Sequence, residues 1–177
     1  MLNFLIKIST SSLFFYSSIF MNFHYLEANS QLNKPIQPAF IAPLASKAII
    51  TDIWQQKNTI FAVGERGHIL QSSDGDRFSQ INNPTDQYLT AITGDGNNHL
   101  WAVGHDSVVL SSSDNGKNWN VTHLNIEAES PLFDVIYLGN QTIIAIGAYG
   151  YTIKSIDNGN TWNRVRIDVK IDEYEEP

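Results

Sequence analysis

The chain has 177 residues, of which 42% are hydrophobic and 16% charged, with a formal net charge of −7 and no cysteine. That length holds one domain with a sizeable core, and the composition excludes a highly charged disordered chain. The acidic balance excludes the basic stripe that nucleic acid requires, and the lack of cysteine excludes disulfides, thiolate metal sites and a lipidated N-terminal cysteine.

In chain order, the first element is a targeting segment. Lys7 is the only charge in the first 23 residues, an apolar run extends from Leu13 to Phe23, and Leu26-Glu27-Ala28 closes it with a small residue. This is the layout of a secretory signal peptide over 1–28, cleaved after Ala28. The run is shorter than the roughly 20 apolar residues of a membrane span. An uncleaved N-terminal anchor is the alternative. The expected location is therefore periplasmic or secreted. Residues 29–46 form an irregular lead-in with Pro35, Pro38 and Pro43 and no clear period.

The remainder, 47–177, is repetitive. Ala62 to Asp74, Ala102 to Asp114 and Ala145 to Asp157 superimpose without gaps over thirteen positions, and their glycines (Gly64, Gly104, Gly147) are 40 and then 43 residues apart. An apolar strand precedes each glycine, and another lies further upstream: Ile49 to Trp54, Leu89 to Thr93 and Phe133 to Tyr137. Short strands punctuated by Gly, Asn and Asp are hairpin signals. Four strands per period of about 40 residues is the size of a propeller blade. The fold class is all-β: a partial β-propeller of three four-stranded antiparallel blades, at about 47–82, 87–125 and 131–168, with an acidic tail.

Ser112-Ser113-Asp114-Asn115-Gly116-Lys117-Asn118-Trp119 and Ser155-Ile156-Asp157-Asn158-Gly159-Asn160-Thr161-Trp162 fit the Asp-box pattern S-x-D-x-G-x-x-W. A first copy, Ser72 through Asp74 to Phe78, lacks one residue and replaces tryptophan with phenylalanine. The pattern suits a tight turn: the aspartate accepts backbone N–H groups, the glycine supplies positive φ, and the aromatic ring buries between blades. Each box fixes only one aspartate, whereas calcium needs several converging oxygens. These residues are therefore read as structural staples. None of His24, His68, His99, His105 and His123 has metal-ligand spacing, and no metal or cofactor is expected.

The boxes look like bacterial neuraminidase repeats. With the segments Gly64 to Leu70, Gly104 to Leu110 and Gly147 to Gly150, the unit from about Ile49 to Ile167 is similar to the photosystem II stability and assembly factor family. The resemblance implies a propeller of about seven blades that binds and helps assemble a membrane-protein complex. The chain departs from that pattern in holding three blades, which cannot close a ring; a truncated relative or self-association through open propeller edges would follow.

The loops after the three glycines lie at the opposite ends of the strands from the Asp-boxes. They carry Glu65, Arg66, His68, His105, Asp106 and Tyr149, read as one polar patch for a protein partner. The plain alternative is a solvated loop set with Arg66 pairing Asp106. Three functions follow: a non-catalytic binding module, a sialidase-like glycoside hydrolase, or a non-functional truncated fragment. A sialidase needs an arginine cluster with a tyrosine nucleophile and a carboxylate base. Arg66, Arg77, Arg164 and Arg166 are the only arginines, Arg77 lies in an Asp-box, and the Arg-Ile-Pro motif that usually opens such enzymes is missing. The binding module is the better reading, with no small-molecule substrate evident.

Overall fold

A computed structural model of the chain describes residues 36–167. The predicted signal segment and the acidic end from Asp168 onward lie outside the described residues. Twelve strands among the described residues form three four-stranded antiparallel sheets, each a simple meander in chain order. Blade 1 holds β1 (Ile50–Gln56), β2 (Thr59–Gly64), β3 (Ile69–Ser72) and β4 (Ser79–Gln80). Blade 2 holds β5 (Leu89–Gly94), β6 (Leu100–Gly104), β7 (Val109–Ser112) and β8 (Asn120–His123). Blade 3 holds β9 (Leu132–Gly139), β10 (Thr142–Gly147), β11 (Thr152–Ser155) and β12 (Asn163–Arg164). The chain is a partial, unclosed propeller.

The register repeats with the sequence. Ala62 faces Leu70, Ala102 faces Leu110 and Ala145 faces Ile153. The blades stack face to face, which decides what each strand buries. β6 sits in the middle blade, so side chains pointing either way meet a neighbour, and Leu100 through Val103 are all buried. Among the described residues β10 has a neighbour on one side only. Ile143 and Ala145 are buried there, while Ile146, pointing the other way, is exposed.

Two cores result. Phe61, Val63 and Ile69 of blade 1 pack with Ile92, Leu100, Leu110 and Trp119 of blade 2. Trp101, Val103 and Val109 of blade 2 pack with Val135, Ile143, Tyr151 and Ile153 of blade 3. Hydrogen bonds tie the inner strands across these cores. The Thr51 hydroxyl donates to the Leu89 carbonyl at 2.8 Å, and the equivalent Thr90 hydroxyl donates to the Leu132 carbonyl at 2.7 Å. Asp52 Oδ2 accepts the Ile92 N–H at 2.9 Å.

The lead-in is part of this packing. A 3-10 turn at Ala45–Lys47 places Ala45 and Ala42 on Ala62, Leu70 and Phe78 of blade 1. The Ala42 N–H donates to Gln80 Oε1, and Gln80 Nε2 donates to the Phe40 carbonyl, both at 2.9 Å. A segment without periodicity thus shields the outer part of a blade face that has no blade against it among the described residues.

Candidate functional site

The three loops between the second and third strands share one backbone design. In each, the glycine N–H donates to the carbonyl four residues on: Gly64 to His68, Gly104 to Val108 and Gly147 to Tyr151. A Cβ on any of these glycines would overlap a backbone carbonyl, of Ile49, Tyr88 or Pro131 respectively, so the close approach demands glycine. Two residues later the chain enters the left-handed region at Arg66 (φ 55°, ψ 29°), Asp106 (φ 53°, ψ 26°) and Tyr149 (φ 54°, ψ 32°). Side-chain-bearing residues are uncommon there, and such positions concentrate where function requires a particular display.

The structure sorts the six predicted patch residues. Arg66 and Tyr149 project into solvent, and Tyr149 is 94% exposed. Asp106 is half-buried, and its carbonyl accepts the Asn125 N–H at 3.0 Å. Glu65 is turned back on its own blade, where Oε1 accepts the Ile49 N–H at 3.3 Å. The His105 ring packs on Tyr88 at a centroid distance of 5.1 Å. His68 corrects the sequence reading: it is buried, not presented by the loop. It shares its position with Val108 and Tyr151, which also turn inward to the core. Burial lowers the His68 pKa; nearby Glu65 opposes the shift and Arg66 adds to it. Arg66 does not pair with Asp106; His99 Nδ1 and Asp95 Oδ2 lie 2.8 Å apart, a contact that is an ion pair only when the imidazole is protonated.

Tyr149 leads to a cavity that the sequence reading missed. A space of about 480 Å³ lies between the ends of blades 2 and 3, lined by His123, Asn125, Tyr149, Tyr151 and Arg164 among others. The Arg164 guanidinium lies over the Tyr151 ring at 5.1 Å, a cation–π arrangement. Asn125 Nδ2 donates to the Tyr151 hydroxyl at 3.2 Å, and Asn125 Oδ1 accepts the Ala128 N–H at 3.1 Å, which fixes the floor. The Ser107 hydroxyl holds the connecting segment from the other side by donating to the Ser130 carbonyl at 2.6 Å. His123 Nε2 is buried without a hydrogen-bond partner, and burial lowers its pKa. Of these groups the exposed Tyr149 ring and the exposed Arg164 guanidinium can meet a peptide-like surface by stacking and hydrogen bonding, while Tyr151 and Asn125 hold them from behind.

One signal for this cavity was present in the sequence. Three extra residues separate the second glycine pair. One is the residue the first box lacks, and the others fall after Trp119, in the segment that walls the cavity.

At the other ends of the strands, the boxes do local structural work. Ser72, Ser112 and Ser155 each donate to Oδ1 of Asp74, Asp114 and Asp157, at 3.0, 2.9 and 2.7 Å. Asp114 Oδ1 accepts the Asn118 N–H, and Asp157 Oδ1 the Thr161 N–H, both at 2.9 Å. Hydrogen bonds from the Thr161 side chain and backbone and from Ser155 lower the Asp157 pKa to about 2. Trp119 Nε1 donates to the Gly116 carbonyl and Trp162 Nε1 to that of Gly159, closing each turn. Phe78, the substitute in the first box, packs against the lead-in.

Residues 76–174, more than half of the chain, match the family described as photosynthesis system II assembly factor YCF48. The chain belongs to the YCF48 family. No curated protein matches. Among solved structures, YCF48 bound to a D1 peptide is 20% identical, with a TM-score of 0.57 over 74% of this chain and 44% of that one. YCF48 from Cyanidioschyzon merolae is 21% identical, with a TM-score of 0.56 over 74% and 40%. An ancestral GH74 enzyme is 15% identical, with a TM-score of 0.53 over 67% and 20%. At these identities the likeness shows the propeller fold alone, and the chain spans less than half the length of each of these structures. The family match runs from residue 76, so it takes in the last strand of blade 1 and all of blades 2 and 3, and the latter two wall the cavity.

Proposed function

We propose that this chain is a non-catalytic, extracytoplasmic propeller segment that binds a protein partner and assists the assembly or stability of a complex, one held in a membrane. Membership in the assembly-factor family is the observation that carries the reading. A YCF48 structure with a bound D1 peptide supports a peptide-like partner. Tyr149, with Tyr151 and Arg164 behind it, is where this chain offers aromatic and cationic side chains for such a partner. The extracytoplasmic setting rests on Lys7 and the apolar run that follows it.

The test compares partner capture by the wild type and by Tyr149→Ala, Arg66→Ala and Lys117→Ala. The first two weaken capture and the third, in an Asp-box turn, does not. Equal weakening by Lys117→Ala removes the loop face as the binding site. The N-terminal sequence of the exported product tests the compartment: a start at Asn29 supports it, and an intact Met1 in the cytoplasmic fraction contradicts it.

A further inference from the structure

Two blade faces have no blade against them among the described residues, and each carries half of the device that joins the blades inside the chain. In that device, the Asp-box glycine of one blade sits against the ring three residues before the strand-ending glycine of the preceding blade. Gly116 sits on Phe61 and Gly159 on Trp101, so closely that a Cβ would overlap the ring. Ile144 holds the same register on blade 3, opposite Lys154, as Phe61 and Trp101 hold opposite Gln71 and Ser111. No Asp-box glycine covers it.

A second part of the device is the inner-strand aspartate. Asp52 accepts the Ile53 N–H with Oδ1 at 2.8 Å and the N–H of Ile92 in the next blade with Oδ2 at 2.9 Å. Asp134 repeats this on blade 3. Its Oδ1 accepts the Val135 N–H at 2.8 Å, and Oδ2 has no hydrogen-bond partner among the described residues. Ile136 (54%), Leu138 (56%) and Ile146 (43%) are exposed on the same face.

Blade 1 presents the complementary half. Gly75 has the φ of its counterparts (80° against 79° and 81°), but it is exposed where Gly116 and Gly159 are buried. A Cβ there would meet only Ile60 of its own blade, at 3.7 Å. Ile50 and Ile53, in the registers of buried Leu89 and Ile92, are exposed. The lead-in covers the outer residues of this face and leaves these inner ones bare.

We propose that the two faces dock on each other between copies of this chain, blade 1 of one copy seated on blade 3 of the next. Ile50, Ile53 and Ile60 meet Ile136, Ile144 and Ile146, and Asp134 Oδ2 receives a backbone N–H from the incoming β1. Phe133 stands where Thr51 and Thr90 hydrogen-bond across blades, so the contact between copies replaces that bond with apolar burial. Such a contact is heterologous: it uses a different face on each copy, and copies add head to tail. It goes beyond the partner-binding reading and is independent of it, because the loops carrying Arg66 and Tyr149 lie at the strand ends.

The test is light scattering on the full chain over a wide concentration range. The wild type gives a mass of two or more copies. Ile53→Glu and Ile136→Glu each give monomers with an unchanged β-sheet circular dichroism signal, because both side chains are already exposed. Mixing the two variants restores a two-copy species, since each keeps one intact face. A monomeric wild type, association that survives either substitution, or a mixture that stays monomeric overturns the proposal.

Discussion

The indole N–H of Trp101 donates to the carbonyl of Asn158, 3.1 Å away in the Asp-box turn of the next blade. The same ring occupies the space that a side chain on Gly159 would need, and it stacks on Tyr137 at a centroid distance of 5.4 Å. One residue thus joins the strand of one blade to the turn and inner strand of another.

Blade stacking therefore answers to single substitutions at this joint. Trp101→Phe keeps most of the apolar burial and loses the hydrogen bond, costing about 1 kcal/mol. Trp101→Ala costs about 3–5 kcal/mol. Gly159→Ala, at φ 81° and against the ring, costs at least about 1 kcal/mol. Urea denaturation measures all three. A Gly159→Ala protein as stable as wild type would contradict the interlock.

The Asp-box carboxylates give the fold an acid-sensitive component. Hydrogen bonds hold Asp157 at about 2, well below its usual 3.8. Asp74 is also lowered, chiefly by the Arg77 and Asp76 N–H groups. Burial raises Asp114, but bonds from Asn118 and Ser112 outweigh it and leave it lowered too. A carboxylate lowered on folding stabilises the native state above its unfolded pKa, and that contribution is lost as pH falls through the folded value. Melting temperature should fall between about pH 4 and pH 2. Thr161→Ala, which removes the largest cause, should move the Asp157 transition upward in a carbon-13 carboxyl titration; an unmoved transition would contradict the assignment.

These aspartates are turn staples, so calcium should not matter to them. Asp157 spends both oxygens on Ser155 and Thr161, and no described group of three acidic or histidine side chains converges on a metal position. Melting curves in calcium and in chelator should coincide. A calcium-dependent rise of several degrees would assign the boxes a second role.

How much of this was legible in the sequence depended on the range of the interaction. The box chemistry closes within a few residues, from Ser155 to Trp162, so its pattern shows in the chain directly. The propeller period shows because Ala62, Ala102 and Ala145 stand in equivalent registers. The cavity was hidden because it joins His123 to Arg164, which meet only after blades 2 and 3 stack. The lead-in was hidden for a similar reason, since Ala45 has meaning only against Leu70. His68 was misplaced although its alignment with Val108 and Tyr151 marked an inward position.

The left-handed backbone at Tyr149 offers a test that separates display from stability. Tyr149→Gly relieves the conformation and should raise stability by up to about 1 kcal/mol, because the exposed ring contributes little burial. The same variant should lose partner capture. Gain of stability with unchanged capture would show that the tyrosine is not displayed for binding.

Site-specific photo-crosslinking in cells tests the proposal that the loop face, and not the Asp-box face, meets a protein partner. A photoreactive residue is placed at 66, 149 or 117 in turn. A discrete crosslinked partner band is expected from positions 66 and 149 and none from 117. The same band from 117, or no band from 66 and 149 while 117 yields one, would contradict it.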